Sequence, residues 1–434
     1  MVEKARNFPQ MDGVGNLYVT LPDQSEGAQH VNVLFDPSNM SAFGTLETGE
    51  LTPVIQGDFV YGLNTQLWQA GVVSGTGAAV DTDAARLRVQ SGTGAAGYAY
   101  ILSRRPVRYR AGQGTVARFT PVFTAGAANN IQAIGMMTIA SSVPSDGYMF
   151  GYNGAAFGIV HYNRGTPTWT AQTAWNGDKC DGSAGTSFAY NPAFGTPAMI
   201  KYPYLGFGDI EFFLQVPNTG RWTLCHVIRY ANTTAITELG NPTLNFGAFT
   251  LNSGNTVNKI LYCGSVGIFL SGARSFSANP KEAQDNYKTG ITAETNILSL
   301  RNCTTYNGVP NRGLMRLNSV SVGGDAASGT TVILRLRIAA TIGGSPSFAP
   351  IAGSTADNGV TITSGNSIVS SDTAGTTATG GSKIYNISLV APGNAIIDLI
   401  PFELYVAPGE ILTISGFSTA SATISTAINW SEDI

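Results

Sequence analysis

Gly208-Asp-Ile-Glu-Phe-Phe-Leu-Gln-Val216 is the stretch that decides the fold. Ile210, Phe212, Leu214 and Val216 fall on one side of it, and Asp209, Glu211, Phe213 and Gln215 on the other. A period of two belongs to a β-strand, whose successive side chains point to opposite faces. Pro217-Asn-Thr-Gly220 then supplies a turn, and residues 221–230 a second strand.

Outward from this pair the pattern repeats. Residues 117–123 alternate with Phe119, Pro121 and Phe123 on one side, and residues 131–139 form a longer apolar run. Residues 148–152 and 155–162 flank Asn153-Gly154, a dipeptide suited to a two-residue hairpin turn with positive φ at both central positions. Asn163-Arg164-Gly165 turns the chain again into residues 168–172, and residues 259–270 make another strand. Short strands with turn signals between them predict a two-sheet sandwich over residues 55–278.

Residues 279–287 predict a short connecting helix, with Pro280, Lys281, Glu282 and Ala283 at its start. Strands resume near residue 291. Residues 331–338 set Val332, Leu334, Leu336 and Ile338 against Arg335 and Arg337. Residues 343–382 are nearly all Gly, Ser, Thr, Ala and Asp, which reads as a flexible excursion or a pair of weak surface strands. Strands at 384–390, 396–406 and 410–417 are divided by Pro392-Gly393 and Pro408-Gly409, and a last strand spans 422–430. Residues 1–54 read as an N-terminal arm whose apolar pieces, 17–21 and 31–35, need a covering surface. The expected class is therefore all-β, with tandem antiparallel β-sandwiches at 55–278 and 279–434 behind an extended arm.

Composition narrows the function. Only 12% of the 434 residues are charged while 43% are hydrophobic, and 52 are Gly. Soluble domains carry about twice that charge fraction. Neutral strand faces can be buried between subunits with little ion desolvation. The formal net charge of -3 gives no reason to expect nucleic acid or an anionic membrane as partner. Residues 1–15 lack the apolar core of a signal peptide, and no run reaches the length of a membrane-spanning helix, so membrane insertion is not expected. Cys180, Cys225, Cys263 and Cys303 are widely spaced and read as free thiols, three of them in or beside strands. No metal site or cofactor is expected.

Several residues invite a chemical reading. Tyr148, Tyr152, Trp169 and Trp175 crowd one meander and its following loop, where such rings stack on carbohydrate or anchor interfaces, and Asp178 joins them as a candidate carbohydrate or receptor contact. Trp175, beside Asn176 and Asp178 in a Gly-rich loop, is the ring expected to be exposed, and ordinary core packing claims many of the others. Asp178 and Asp181 resemble half of a calcium loop without the Glu that completes one, so a plain turn is the simpler reading and a structural Ca²⁺ stays open. Arg104, Arg105, Arg108 and Arg110 form a basic cluster suited to an anionic glycan or, more plainly, to acids of a neighbouring subunit. Asp209 and Glu211 lie about 7 Å apart on one strand face, as in a retaining glycosidase. Phe207 stands where sandwich glucanases carry a further Glu, which argues against catalysis. His161 and His226 fall in strands and read as structural.

Certain blocks resemble virion proteins of tailed bacteriophages and large DNA viruses. They are Arg110-Ala-Gly-Gln-Gly-Thr-Val-Ala-Arg-Phe119, Asp146-Gly-Tyr-Met-Phe-Gly-Tyr-Asn-Gly154 and Tyr204-Leu-Gly-Phe-Gly-Asp-Ile-Glu-Phe212, then His226-Val-Ile-Arg-Tyr-Ala-Asn232 and Gly240-Asn-Pro-Thr243. Val406-Ala-Pro-Gly-Glu-Ile-Leu-Thr-Ile-Ser-Gly416 and Ile428-Asn-Trp-Ser-Glu-Asp433 are similar to a second phage module found at the ends of fibre, baseplate and head-associated proteins. The resemblance implies sandwiches of the lectin-like or jelly-roll kind without catalytic residues. It implies a non-enzymatic structural protein of the virion, made in the host cytoplasm. A tail-fibre or baseplate adhesin, acting as a homotrimer on a host-surface glycan, is the first reading. Capsid decoration is the alternative, and a polysaccharide-degrading enzyme comes last. The partners implied are copies of the chain and other virion proteins.

Overall fold

The alternation around Phe212 is realised as a strand in which Ile210, Phe212 and Leu214 are buried. The computed structural model describes residues 51–140, 143–272, 279–351 and 367–434, together with five strands outside those ranges. The chain divides into two units, Met1–Arg274 and Ser275–Ile434. That boundary lies a few residues before the expected one at 278/279. No helix among the described residues is long and apolar enough to cross a membrane.

In the first unit β1 (Gln10–Met11), β2 (Asn16–Thr20) and β3 (His30–Leu34) pair antiparallel in that order. The two strand-like pieces expected in the arm correspond to β2 and β3. The rest of residues 1–50 lies outside the described residues. The expected arm boundary at 54/55 falls inside a strand, β4 (Leu51–Asp58), which belongs to the sandwich.

The sandwich continues with β5 (Trp68–Ser74), β6 (Ala79–Asp83), β7 (Arg86–Gln90), β8 (Tyr98–Ser103), β9 (Thr115–Phe123) and β10 (Asn130–Ala140). Then come β11 (Val143–Asn153), β12 (Ala156–Asn163), β13 (Thr166–Ala171), β14 (Ala198–Tyr202), β15 (Ile210–Gln215), β16 (Trp222–Ile228), β17 (Asn245–Asn252) and β18 (Ile260–Ser271). One sheet runs β13-β12-β11-β10-β17-β8-β5. The other runs β16-β15-β14-β9-β18-β7-β6, with β4 also paired to β18. The long β18 serves two neighbours in turn: residues 260–263 pair with β7 and residues 265–271 with β4.

Aromatic side chains from the two sheets meet in the space between them. Phe150 meets Phe212 edge-on at 5.4 Å, and Phe119 meets Phe246 at 5.6 Å. Each fully buried side chain of this kind contributes about 1.5–3 kcal/mol, which is why the period-two pattern dictates the layer.

The turns differ in one detail from expectation. Asn153 pairs with Ala156, so the central turn residues are Gly154 and Ala155. Gly154 alone of the two takes positive φ (62°), which suits a turn with Gly first rather than one with two left-handed residues. The next hairpin does use two, Arg164 (φ 48°) and Gly165 (φ 85°).

The second unit holds β19 (Lys281–Ile291), β20 (Thr295–Asn302), β21 (Thr305–Tyr306), β22 (Val309–Pro310), β23 (Leu314–Asp325), β24 (Thr331–Ile338), β25 (Thr341–Ile342), β26 (Ala349–Pro350), β27 (Thr355–Asp357) and β28 (Thr361–Ser364). After these come β29 (Val369–Asp372), β30 (Ala378–Thr379), β31 (Ser382–Val390), β32 (Gly393–Asp398), β33 (Tyr405–Val406), β34 (Ile411–Ser418) and β35 (Ala422–Asp433). A sheet ordered β19-β35-β23-β32, with β33 on β23, faces one ordered β26-β29-β20-β34-β24-β31. Leu298, Leu300, Leu317, Val320, Leu334, Leu336, Leu412, Ile428 and Trp430 are among the side chains of its core.

Two expectations fail here and a third is met only in part. The helix expected at 279–287 is the strand β19, paired along β35 from Lys281↔Ser431 to Ile291↔Ala422. Its residues offer no apolar stripe of helical period, so the free edge of β35 decides their conformation. The strand expected over 396–406 is interrupted by a 3-10 turn at Ile400–Phe402. The Gly/Ser/Thr-rich stretch holds the short paired strands β27 and β28, as one of its two readings had it, and its described flanks also reach the core, because Ile351, Ile368 and Val369 are buried and β29 pairs with β20.

Candidate functional site

Four of the ordered blocks quoted above, those around Asp146, Tyr204, Tyr230 and Gly240, bring residues together at one end of the first sandwich. Tyr148 on β11 stands opposite His161 on β12. Tyr148 is buried between the sheets, 5.6 Å from the ring of Tyr202 on β14. The segment from Arg229 to Thr243 closes over this end and is tied down at many points. The Tyr202 hydroxyl donates to the Pro242 carbonyl at 2.8 Å and that of Tyr204 to the Leu239 carbonyl at 3.3 Å. Asp146 accepts from the Gly240 amide at 2.8 Å and from the Arg164 amide at 3.2 Å. Leu239, within the segment, is its buried apolar side chain.

His161 lies at the centre. The Tyr230 hydroxyl is 3.2 Å from its Nδ1, and its Nε2 faces the Glu238 carboxyl at 3.8 Å. Burial pushes the imidazole down to about 4, against the raising effect of the Glu238 backbone carbonyl and of Asp146. Burial raises Glu238 above the usual carboxylate range, partly offset by a hydrogen bond with Tyr230. Desolvation also lifts the phenols of Tyr148, Tyr202 and Tyr230. The cluster is thus a neutral imidazole among protonated phenols, holding a loop in place.

What this end presents outward is apolar. Tyr204 (φ 55°), Leu205 (φ 52°) and Gly206 (φ 85°) take positive φ in succession. For two side-chain-bearing residues that is strained backbone. It leaves Leu205 55% exposed, while Ile236 on the closing segment is 66% exposed and Phe207 is also exposed. The Glu238 amide donates to the Gly206 carbonyl at 3.3 Å, so the two loops are joined.

The residues singled out from sequence fare differently. Trp175, expected to be exposed, is 2% exposed and sits edge-on to Phe150 and Phe157, each at 6.2 Å. The polar residues after it cause this. The Asn176 side chain accepts from the Val227 amide and donates to the Val227 carbonyl, and the Gly177 and Asp178 amides donate to β16. Pinning the loop along that edge turns the indole inward. Tyr148 is likewise buried and so presents no ring to a glycan. Tyr152 is half-buried against Phe123 and Phe157, and Trp169 packs half-buried on the outer face of its sheet.

Asp178 anchors a loop. Its carboxylate accepts from the Cys180 and Ser187 amides, both at 2.8 Å, and from the Thr223 hydroxyl at 3.1 Å. Burial raises it, but these hydrogen bonds outweigh burial and hold it below the usual range. Asp181 accepts instead from Ser183. Among the described residues no group of three His, Cys, Asp or Glu side chains is placed to hold a metal.

Arg104 donates to the Thr65 carbonyl at 2.6 Å, and Arg105, Arg108 and Arg110 follow half-buried. They flank Val107, which is buried and makes a single bridge to Leu244. Asp209 lies 3.9 Å from Arg229, and Glu211 stands opposite Lys201, its carboxyl raised by burial. That strand face is apolar in part, because Val116, Met199 and Phe213 pack together on it.

Sequence reasoning missed Tyr230, Glu238, Tyr202, Leu205 and Ile236 as one site. They come from segments far apart in sequence, and the quoted blocks around Asp146, Tyr204, Tyr230 and Gly240 are the signal that could have joined them.

No family model matches the chain, and no curated protein matches it. Similar solved structures include the carbohydrate recognition domain of Emp47p (10% identity, 50% of this chain and 95% of that one, TM-score 0.32). They also include the exoplasmic/lumenal domain of VIP36 in its Ca²⁺/Man3GlcNAc-bound form (11% identity, 53% and 93%, TM-score 0.34). A third is a legume lectin-like domain from Entamoeba histolytica (10% identity, 50% and 97%, TM-score 0.30).

Proposed function

We propose that this chain works by association rather than turnover, as a structural protein of a virion and specifically as a tail-fibre or baseplate-associated adhesin. The observation that carries the reading is the exposed apolar group Leu205, Phe207 and Ile236, on two loops joined by the hydrogen bond from the Glu238 amide to the Gly206 carbonyl. It projects from a sandwich in a charge-poor chain, with Leu205 on strained backbone and the polar cluster around His161 beneath. A contact surface ordered before binding loses little conformational freedom on binding, and exposed apolar side chains supply the anchor. Repetition in a multimer then adds weak contacts as avidity. The virion context rests on the ordered blocks that resemble phage modules. Four of them contribute Asp146, Tyr148, Tyr204, Tyr230 and Gly240 to this end of the sandwich.

The test is to search purified particles for the chain by mass spectrometry and to place it by antibody labelling. Labelling on the tail, with binding of the purified full chain to host cells, supports the adhesin. Labelling on the shell replaces it with the capsid-decoration alternative. Absence from particles, or release of reducing ends from host polysaccharide by the purified chain, overturns the proposal.

A further inference from the structure

Cys180 and Cys225 are both fully buried in the first unit, and their sulfurs lie 3.7 Å apart. Each thiol donates to the carbonyl two residues before it, Cys180 to Asp178 and Cys225 to Thr223, both at 3.6 Å. The two sulfurs are thus left facing each other. The backbone around them is held firmly. The Gly177 amide donates to the Cys225 carbonyl at 3.0 Å, and the Tyr190 amide to the Cys180 carbonyl at 2.7 Å. Cys180 itself takes φ 49°, the left-handed region that glycine or asparagine favours. A strained backbone therefore aims a sulfur at another sulfur. Such strain marks places where the surroundings over-determine a conformation. Of the other two thiols, Cys263 donates to the Ser265 carbonyl at 3.3 Å, and Cys303 lies 3.5 Å from Ser370 Oγ.

We infer that Cys180 and Cys225 are a latent disulfide, which closes when local opening of the fold around Cys180 admits a small-molecule disulfide oxidant. One thiolate attacks the oxidant, releasing one small thiol and leaving a mixed disulfide. The second thiolate attacks the protein sulfur of that mixed disulfide. The Sγ–Sγ bond forms, the second small thiol leaves, and the two protons pass to the released thiols. The protein is oxidised by two electrons and the oxidant reduced by two. Closing needs the sulfurs to approach from 3.7 Å to about 2.05 Å, a movement on the scale of a side-chain rotation. The bond would fasten the 176–190 loop to β16, the edge strand of its sheet. The inference stands on this geometry and does not depend on a virion role.

The experiment incubates the full chain with oxidised glutathione. Urea is set at the lowest concentration at which a thiol-alkylating reagent labels Cys180 in a parallel sample, so that access does not limit the result. Intact mass, peptide mapping and the thermal midpoint are then read. The expected result is a loss of two hydrogens, one cross-linked peptide pair containing Cys180 and Cys225, and a midpoint for the first unit raised by about 5–10 °C and restored by dithiothreitol. Cys263→Ser should keep the link, and Cys225→Ser should replace it with a glutathione adduct on Cys180. Stable glutathione adducts on both cysteines of the unmutated chain, scrambled links involving Cys263, or thiols that stay reduced while Cys180 is open to alkylation would overturn the inference.

Discussion

Tyr148 and His161 face each other on neighbouring antiparallel strands with their rings stacked, 5.0 Å apart and 12° from parallel. The stack holds the imidazole between an aromatic face and the Glu238 carboxyl, where a charge would be poorly solvated. Because the folded-state value is depressed to about 4 from an ordinary 6.5, the unfolded chain binds the proton first as pH falls. This group's contribution to stability is intact above about 6.5 and is lost as pH drops towards 4, by at most roughly 3 kcal/mol. Glu238 has the opposite sign. Its raised value favours the folded state at low pH, and that contribution is lost as pH rises through the folded value. Urea unfolding of His161→Gln against the parent at several pH values should show a smaller loss between pH 6.5 and 4 in the variant. Equal slopes would refute the assignment.

The indole of Trp175 fills the space between the sheets, so its removal should behave as a core deletion. Trp175→Ala should cost about 3–5 kcal/mol in urea unfolding of the first unit, and Trp175→Phe distinctly less. An exposed ligand-stacking ring would give a change within about 0.5 kcal/mol. The two readings of this residue are therefore separated by one measurement.

Much of the architecture was legible because a half-buried strand writes its period into the sequence, as at Ile210, Phe212 and Leu214 or at Val332, Leu334 and Leu336. The expected helix at 279–287 is a strand because an edge strand needs only a partner's free backbone groups, and Lys281 to Tyr287 carry no apolar pattern of either period. The site was harder. Tyr148 and Trp175 announce themselves as aromatic, but whether a ring points into the sandwich or out of it depends on distant partners, such as Val227 for the loop after Trp175. Glu238 and His161 meet only after the Arg229–Thr243 segment folds back over the sheet, and no local spacing records that.

In the second unit Glu294 joins two arginines. Arg337 Nη2 donates to Glu294 Oε1 at 2.8 Å, Arg335 reaches Oε2, and Ser415 donates at 2.5 Å. Arg337 is only 7% exposed and also donates to Ser415 and to the Gly380 carbonyl. Burial raises Glu294, but the hydrogen bonds and the two guanidiniums outweigh it and hold the carboxyl below its usual range. Its contribution is therefore present above the ordinary Glu range and is lost as pH falls through the depressed folded value. Glu294→Gln leaves a buried guanidinium poorly compensated and should cost about 3–5 kcal/mol at neutral pH. The penalty should shrink under acid conditions, as read from denaturant midpoints at two pH values.

The exposed apolar group gives the sharpest test of function, because it separates surface from fold. Leu205 and Ile236 are each more than half exposed, so replacing either with Ser removes little buried area and should leave the unfolding midpoint nearly unchanged, within about 0.5 kcal/mol. If these side chains anchor a contact, each substitution should weaken it by about 1–2 kcal/mol, or roughly five- to thirty-fold in the dissociation constant. Avidity in a multimer multiplies the loss, so retention of the intact assembly on host cells should fall further than the single-site constant. His161→Gln disturbs the support without touching the surface. It should weaken binding in proportion to any loosening of the Arg229–Thr243 segment, measurable as faster amide exchange there. Unchanged attachment by the double variant Leu205→Ser/Ile236→Ser, with folding intact, would move the contact to another part of the molecule.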